Sequence, residues 1–163
     1  MGAPETAQLT PIRSSASVYI ENMKAAILVE SLTGNTWKAA EKIGSELQQA
    51  GWSIVGFDPV RKPNHGAIQD ADILLVGTWV HGLFVVGQAP WGVGGIAKLP
   101  AMRDKKVAAF ATFALNPGKT LDVMTRTLQT RGAEVVGGLA LHRAKLNEHT
   151  ETFVDRLLSA VSA

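Results

Sequence analysis

Six consecutive residues, Ser31-Leu32-Thr33-Gly34-Asn35-Thr36, place hydrogen-bond donors and a glycine directly after a short apolar run. Three of them carry hydroxyls and one an amide, and each of these groups can donate to an anion. A turn from a strand into a helix also directs backbone N–H groups and the positive end of the helix dipole at one point, which favours a phosphate. The segment contains no lysine and no G-x-x-x-x-G-K-[ST] pattern, so it is not the phosphate loop of nucleoside triphosphatases. It predicts a site for a singly phosphorylated ligand held by neutral donors.

The same residues also fit a simpler interpretation, in which Thr36 is an ordinary N-cap and the loop binds nothing. The order of the residues favours the ligand. S-x-T-G-N-T after a first buried strand resembles, residue by residue, the FMN-phosphate loop of the flavodoxin family. The resemblance implies FMN as the cofactor, with its phosphate held by Ser31, Leu32, Thr33, Gly34, Asn35 and Thr36.

Strands and helices alternate along the part of the chain that must position this loop. Residues 25–29 form a continuous apolar run, which is typical of a strand buried on both faces of a parallel sheet. Further strands are predicted at residues 52–58, 72–78, 106–113 and 133–141, with helical apolar spacing between them. This alternation predicts right-handed crossovers and an α/β fold, a single-domain doubly wound three-layer sandwich with a five-stranded parallel sheet, as in flavodoxins.

In such a sheet a ligand binds outside the carboxyl ends of the strands, so the loops after the first, third and fourth predicted strands should meet. An apolar, aromatic flank beside a polar phosphate end suits a flavin ring. Residues 77–82 resemble the flavodoxin stretch that lines one face of that ring, with Trp79 where proline is common and His81 where an aromatic ring is expected. The predicted ring-flanking residues are Thr78, Trp79, Val80, His81, Gly82, Ala114, Leu115, Asn116 and Gly118.

Two segments have more than one interpretation. His81 either stacks on the flavin or transfers a proton near it, or it is a partly exposed loop histidine with no role. Residues 92–97 imitate a dinucleotide-binding fingerprint, but no predicted strand precedes them, so a loop or loosely formed helix beside the pocket is expected instead. Residues 1–22 show no sustained period and predict a disordered arm before a domain at 23–163.

Composition excludes several classes of function. The 163 residues include no cysteine, which excludes disulfides and thiolate chemistry and suits a cytoplasmic location. The four histidines lack metal-ligand spacing, and no apolar run is long enough to span a membrane, so no metal site and no membrane span are expected. The net charge of +2 does not indicate nucleic-acid binding, and it departs from the strongly acidic character usual among flavodoxins.

The resemblance implies a small FMN-binding electron-transfer protein, a one- or two-electron carrier whose partners are a reductase and an acceptor protein. In such a carrier the flavin supplies the redox chemistry, and no catalytic side chain is expected. One alternative is an FMN-dependent NAD(P)H/quinone oxidoreductase, which needs a substrate site over the exposed ring. A second is a flavodoxin-like interaction module without cofactor. A carrier is favoured over a stand-alone enzyme.

Overall fold

The computed structural model describes residues 22–31, 34–81, 89–90 and 93–163. The strands are β1 (Lys24–Val29), β2 (Ser53–Pro59), β3 (Ile73–His81), β4 (Ala89–Pro90), β5 (Lys106–Phe113) and β6 (Glu134–His142). The helices are α1 (Asn35–Gln49), α2 (His65–Asp70), α3 (Val93–Ala97), α4 (Thr120–Thr130) and α5 (Leu146–Ser162), and a 3-10 turn at Arg143–Lys145 precedes α5.

Five strands form one parallel sheet in the order β2-β1-β3-β5-β6. The chain passes from β1 to β2 on one side and then crosses back to β3 on the other, so the winding direction reverses between β1 and β3. Ligands of doubly wound sheets bind at such a reversal, outside the carboxyl ends of the strands. The predicted five-stranded doubly wound fold is confirmed.

The two central strands owe their position to continuous apolar sequence. Residues 25–29 of β1 and 73–76 of β3 are all buried, as expected for strands covered on both faces. Alternate residues of each strand point to opposite faces. One face packs on α1 and α5, with Ile27, Ile43, Leu75 and Phe153 in its core. The other face packs on α2, α3 and α4, with Leu28, Ile68, Leu74, Ile96 and Met124 in its core.

A glycine in β3 makes room for the largest side chain at the centre of the sheet. Gly77 is the register partner of Phe110 in β5, and a Cβ atom on Gly77 would lie 2.1 Å from Cζ of Phe110. The Phe110 ring packs edge-on against Phe153 of α5, with ring centroids 5.7 Å apart. Only glycine therefore allows β3 to pass beneath this ring.

The third strand is longer than the sequence predicts. It continues through Trp79 and Val80 to His81, because Trp79 is in register with Thr112 of β5, and Val80 and His81 pair with β4 in antiparallel orientation. The predicted loop after residue 78 is therefore partly strand.

The glycine-rich segment includes a helix. Residues 93–97 form α3, and Ile96 on it is fully buried. Gly82 and the predicted arm before residue 22 lie outside the described residues, and the boundary of the domain stays a prediction. Where the chain is described, no helix is long and apolar enough to cross a membrane, and no group of three or more acidic, histidine or cysteine side chains is placed to hold a metal.

Candidate functional site

The predicted site residues that the structure describes lie near the carboxyl edge of the sheet, because all five parallel strands end there, whereas Leu32, Thr33 and Gly82 lie outside the described residues. Ser31 lies just after β1, Thr78 and Trp79 lie near the end of β3, and Ala114 follows β5. Strands β1, β3 and β5 are consecutive in the sheet, so their carboxyl ends lie side by side where the winding direction reverses.

The phosphate-loop candidate leads into α1, whose N-cap residue is Gly34. Gly34 N–H donates to the Ser31 hydroxyl at 3.0 Å, and the carbonyl of Gly34 accepts the Lys38 N–H at 2.9 Å, which begins α1. Gly34 adopts a left-handed conformation with φ of 87°, and no heavy atom lies within 4 Å of the position that its Cβ would take. Gly34, the N-cap residue, has no side chain to cap the helix, and the first turn of α1 contains no acidic residue. The Gly34 turn, the first backbone N–H groups and the positive dipole end of this 15-residue helix form a cradle that suits a phosphate group.

Thr36 is not the N-cap that the simpler interpretation requires. Gly34 occupies that position, and Thr36 is the second residue of α1 with its side chain fully buried. The hydroxyl oxygen of Thr36 lies 2.7 Å from that of Thr112 near the end of β5, and either group can donate. This hydrogen bond fixes the first turn of α1 against the strand that leads into the third predicted loop.

A buried acid, Glu30, directly follows the last residue of β1 and precedes the phosphate-loop candidate. The Glu30 side chain is only 7% exposed, and its carboxylate accepts three hydrogen bonds from Arg61, from the backbone N–H and Nε and from Nη2, at 3.2 to 3.3 Å. A buried carboxylate needs such a partner because its desolvation is costly. Arg61 follows β2, which is the neighbour of β1. The sequence could have indicated this pair, because it has an acid at the end of a buried strand and an arginine after the next strand. The pair ties the turn after β2 to the phosphate loop.

The ring-flanking residues from β3 lie in strand geometry. Thr78 is buried, whereas Trp79 and Val80 are half-buried, and Val80 packs against the core beneath α2 to α4. The backbone of His81 pairs with Ala89. These positions therefore form a continuation of the sheet at the edge of the site and not the loop that was predicted.

The loop between β5 and α4 presents an apolar side chain to solvent. Asn116 Oδ1 accepts the Gly118 N–H at 2.8 Å, and Gly118 has φ of 55°, so a local turn holds the loop. Leu115 is 65% exposed, the one large hydrophobic side chain exposed to that degree among the described residues. Thr120, which begins α4, has a buried hydroxyl with no hydrogen-bond partner in the described part of the chain. Sequence reasoning did not single out Thr120, because a threonine at a helix start has no distinctive pattern.

Two histidines fix the last loop of this edge. The His142 N–H donates to Nδ1 of His149 at 2.9 Å, and the Ala144 N–H donates to Nδ1 of His142 at 3.1 Å. The His142 ring also packs edge-on against Phe113 at 5.0 Å between centroids. Both Nδ1 atoms accept hydrogen bonds, so neither carries the ring proton in this arrangement. The contacts hold the start of α5 against the end of β5.

Sequence comparison identifies a known family. The family model described as "Flavodoxin domain" matches residues 26–140, more than half of the chain. A comparison with curated proteins finds no match for this sequence.

Solved structures with the same fold include several flavodoxins. The two-electron reduced flavodoxin of Megasphaera elsdenii is 21% identical with a TM-score of 0.64, and the match covers 85% of this chain and 98% of that one. Oxidised flavodoxin 1 of Bacillus cereus is 22% identical with a TM-score of 0.63, covering 85% and 96%. The flavodoxin of Streptococcus pneumonia TIGR4 is 22% identical with a TM-score of 0.62, covering 83% and 98%. At these identities the likeness establishes the fold.

Proposed function

Because this chain belongs to the flavodoxin domain family, we propose that it is a small electron-transfer protein that binds FMN at the carboxyl edge of its sheet. The observation that supports this most strongly is the start of α1 at Gly34, which has no side chain to cap the helix, within the sequence S-x-T-G-N-T. FMN carries one phosphate, and the cradle offers neutral donors and a helix end that suit it. When bound, the flavin supplies the redox chemistry, and the protein contributes binding and orientation.

The phosphate end of the proposed site is formed by the loop after β1. The hydroxyl of Ser31 already accepts the Gly34 N–H, so it orders the turn and can donate its own proton outward. Gly34 lets the backbone approach a phosphate oxygen closely, because nothing occupies the space beside its Cα atom. The full proposed set is Ser31, Leu32, Thr33, Gly34, Asn35 and Thr36.

The ring end of the proposed site lies between the end of β3 and the loop after β5. Trp79 and the exposed Leu115 supply apolar surface for a flat tricyclic ring. The turn held by Asn116 keeps backbone groups of this loop at the edge of the ring. The proposed ring-flanking residues are Thr78, Trp79, Val80, His81, Gly82, Ala114, Leu115, Asn116 and Gly118.

The proposed carrier works between two redox proteins, a reductase that loads it and an acceptor that unloads it. Electrons would enter and leave through the flavin. A cytoplasmic location belongs to the same proposal and is suggested by the cysteine-free sequence.

The first test is the visible absorption spectrum of the purified full chain, before and after addition of FMN. A flavin spectrum, with a chromophore that is released on denaturation and identified as FMN by mass, is the expected result. Riboflavin, which lacks the phosphate, is the matched control ligand and should bind much more weakly. Absence of binding at excess FMN would contradict the proposal.

A second test separates a carrier from an enzyme. The FMN-loaded protein alone should oxidise NADPH and NADH slowly, whereas addition of a flavodoxin reductase should reduce its flavin quickly. Sustained oxidation of NAD(P)H in the presence of a quinone, without any reductase, would identify an oxidoreductase instead.

A further inference from the structure

Exposed cations surround the carboxyl edge of the sheet. We call Lys38, Lys62, Lys119, Arg143 and Lys145 the basic rim, and all five are exposed. They come from four different segments: Lys38 is the fourth residue of α1, Lys62 follows β2, Lys119 directly precedes α4, and Arg143 and Lys145 are the first and last residues of the 3-10 turn after β6. Since the strands are parallel, these segments all lie at the edge that holds the proposed site.

The rim has little acidic charge to balance it. None of its five members forms an ion pair within 4.0 Å among the described residues, where the pairs are Lys24 with Asp70 and Arg61 with Glu30. The acids near this edge are the half-buried Asp58 at the end of β2 and the exposed Asp122 and Glu148, in the first turns of α4 and α5. Residues 32, 33, 82–88, 91 and 92 include no Asp, Glu, Lys or Arg. The edge therefore carries an excess of positive charge.

The stability of the fold does not explain where the rim lies. Lysines directly precede α4 and α5, and Lys38 lies near the start of α1, although cations near helix N-termini interact unfavourably with the helix dipole. Cations placed against this preference strengthen the positive field of the helix ends at the same edge. A negatively charged partner would benefit from both sources of charge.

The extent of the rim favours a protein over a small anion. Its loops reach from β2 at one side of the sheet to β6 at the other, four strand spacings or about 19 Å apart. That distance exceeds the range of about 8 Å over which charges act in physiological salt, so one small anion meets only part of the rim. The exposed Leu115 lies at the same edge, and an apolar centre with a charged periphery is typical of protein–protein interfaces.

We propose that the carboxyl edge, with its basic rim, is the docking face for a redox partner protein whose own docking face is acidic. The redox character of the partner rests on the proposed function, whereas the acidic character of its surface rests on the rim alone. Docking there would bring the partner to the exposed side of the proposed flavin site, and the charges would raise the rate of encounter.

Two variants of equal charge test the proposal. The rim variant is Lys62→Glu/Lys119→Glu/Lys145→Glu, and the control variant is Lys98→Glu/Arg103→Glu/Arg156→Glu, whose three sites are exposed and lie away from the carboxyl edge. Each replacement changes the charge by −2, so both variants change the net charge from +2 to −4. Circular dichroism establishes that each variant is folded.

The first readout does not require a flavin. A fluorescently labelled poly-glutamate peptide serves as the acidic probe, and its anisotropy is measured with the full-chain proteins at low salt. We expect the rim variant to bind about tenfold more weakly than the wild type and the control variant to bind with less than half that loss. Equal losses in both variants, or no loss in either, would overturn the proposal.

The second readout measures electron transfer from the FMN-loaded, fully reduced proteins at saturating FMN. Each reduced flavin gives two electrons to two molecules of an oxidant, either anionic hexacyanoferrate(III) or cationic tris(phenanthroline)cobalt(III). For the wild type and control variant, salt raised from about 10 to about 500 mM should slow the first reaction and accelerate the second. In the rim variant, the same rise in salt should accelerate the reaction with hexacyanoferrate(III) and slow the reaction with tris(phenanthroline)cobalt(III).

Two further results would separate failure of the proposed function from failure of the proposed docking face. Failure of FMN to bind would contradict the proposed function, while the poly-glutamate measurement would still decide the charge of the docking face. Rapid direct reduction of the flavin by NADPH, inhibited by poly-glutamate and lost only in the rim variant, would make the rim a dinucleotide site and overturn the proposed protein partner.

Discussion

The hydroxyl oxygens of Thr36 and Thr112 lie 2.7 Å apart, and both side chains are buried. Thr36 belongs to the first turn of α1, whereas Thr112 lies near the end of β5, two strands away from β1 in the sheet. The hydrogen bond thus spans the end of β3 and joins the phosphate end of the proposed site to its ring end. Because the two residues lie 76 positions apart in sequence, the contact depends on the whole sheet.

Replacement of both threonines of this pair should cost less than the two single replacements added together. Thr112→Val keeps the shape but leaves the Thr36 hydroxyl buried without a partner, so we expect a loss of about 1–3 kcal/mol in the free energy of unfolding. The double variant Thr36→Val/Thr112→Val should cost less than the sum of the single variants, since no orphaned hydroxyl remains.

Urea unfolding of the four proteins measures this coupling. Thr130→Val is the control, because the Thr130 hydroxyl is exposed and donates only to the carbonyl of Arg126 in its own helix. Its effect should stay within about 0.5 kcal/mol. Additive single-variant losses would show that the two hydroxyls are not energetically coupled.

Gly34 should matter for FMN binding beyond its effect on stability. Its φ of 87° is unfavourable for a residue with Cβ, so Gly34→Ala should lower the free energy of unfolding by about 1 kcal/mol through strain. Gly51, just beyond α1, has φ of 93°, so Gly51→Ala should carry a similar cost far from the cradle. Only Gly34→Ala should weaken FMN binding, by about tenfold or 1.4 kcal/mol, in a fluorescence titration. Equal weakening by both variants would argue against a role of the cradle in phosphate binding.

Gly77 should tolerate no side chain while Phe110 is present. Gly77→Ala should destabilise the protein by about 3 kcal/mol, because the new methyl group would overlap the Phe110 ring. The same change in a Phe110→Leu background should cost less, since the smaller side chain leaves room. Gly137→Ala in β6 is the control, with no heavy atom within 4 Å of its Cβ position, and should change stability by no more than about 0.5 kcal/mol. Thermal and urea unfolding provide the comparison, and equal costs at Gly77 in both backgrounds would rule out the overlap with Phe110.

The stability of the packed helix pair α1 and α5 should depend on the protonation of Glu46. Burial raises the pKa of Glu46 above its ordinary value of 4.5, the Thr150 hydroxyl opposes this, and the nearby Glu151 and Asp155 raise it further. The folded state therefore holds this proton to higher pH than the unfolded chain does. Stability from this group is present below pH 4.5 and is lost as the pH rises through the raised value.

Glu46→Gln should remove that dependence. It keeps an acceptor for the Thr150 hydroxyl, so the variant should be more stable than the wild type near neutral pH, by less than about 1 kcal/mol at this partly exposed position. Urea midpoints between about pH 4 and pH 7 test this slope. A Glu46→Gln variant with the wild-type slope would refute the assignment.

The sheet could be predicted because its central strands are fully buried. Residues 25–29 and 73–76 must be apolar throughout, and this leaves a pattern that a sequence shows directly. The phosphate loop was equally visible, since its donors lie consecutively in the chain. The end of β3 could not be predicted from the sequence. Val80 and His81 remain in the strand because they pair with Pro90 and Ala89, and the residues around them do not indicate this pairing.

Contacts between distant segments account for the remaining differences between the prediction and the structure. Whether Thr36 points to a ligand or to Thr112 depends on the register of β5, which the sequence does not state. The pairing of Glu30 with Arg61 likewise depends on β1 and β2 being neighbours. Sequence reasoning therefore proposes residues for the candidate site but does not find the distant partners that hold them in place.

The reversal of winding between β1 and β3 also determines the order in which the parts of the proposed site form during synthesis. The phosphate loop is among the first parts of the fold to be synthesised, yet β1 receives its second neighbour only when residues 73–77 arrive, and Thr36 receives its partner only with residue 112. A growing chain that ends before β5 has the complete hexapeptide but neither the threonine pair nor the Leu115 loop. The proposed site is therefore completed only after β5 and the loop that follows it have been synthesised, and a ligand that needs both of its ends binds after that point.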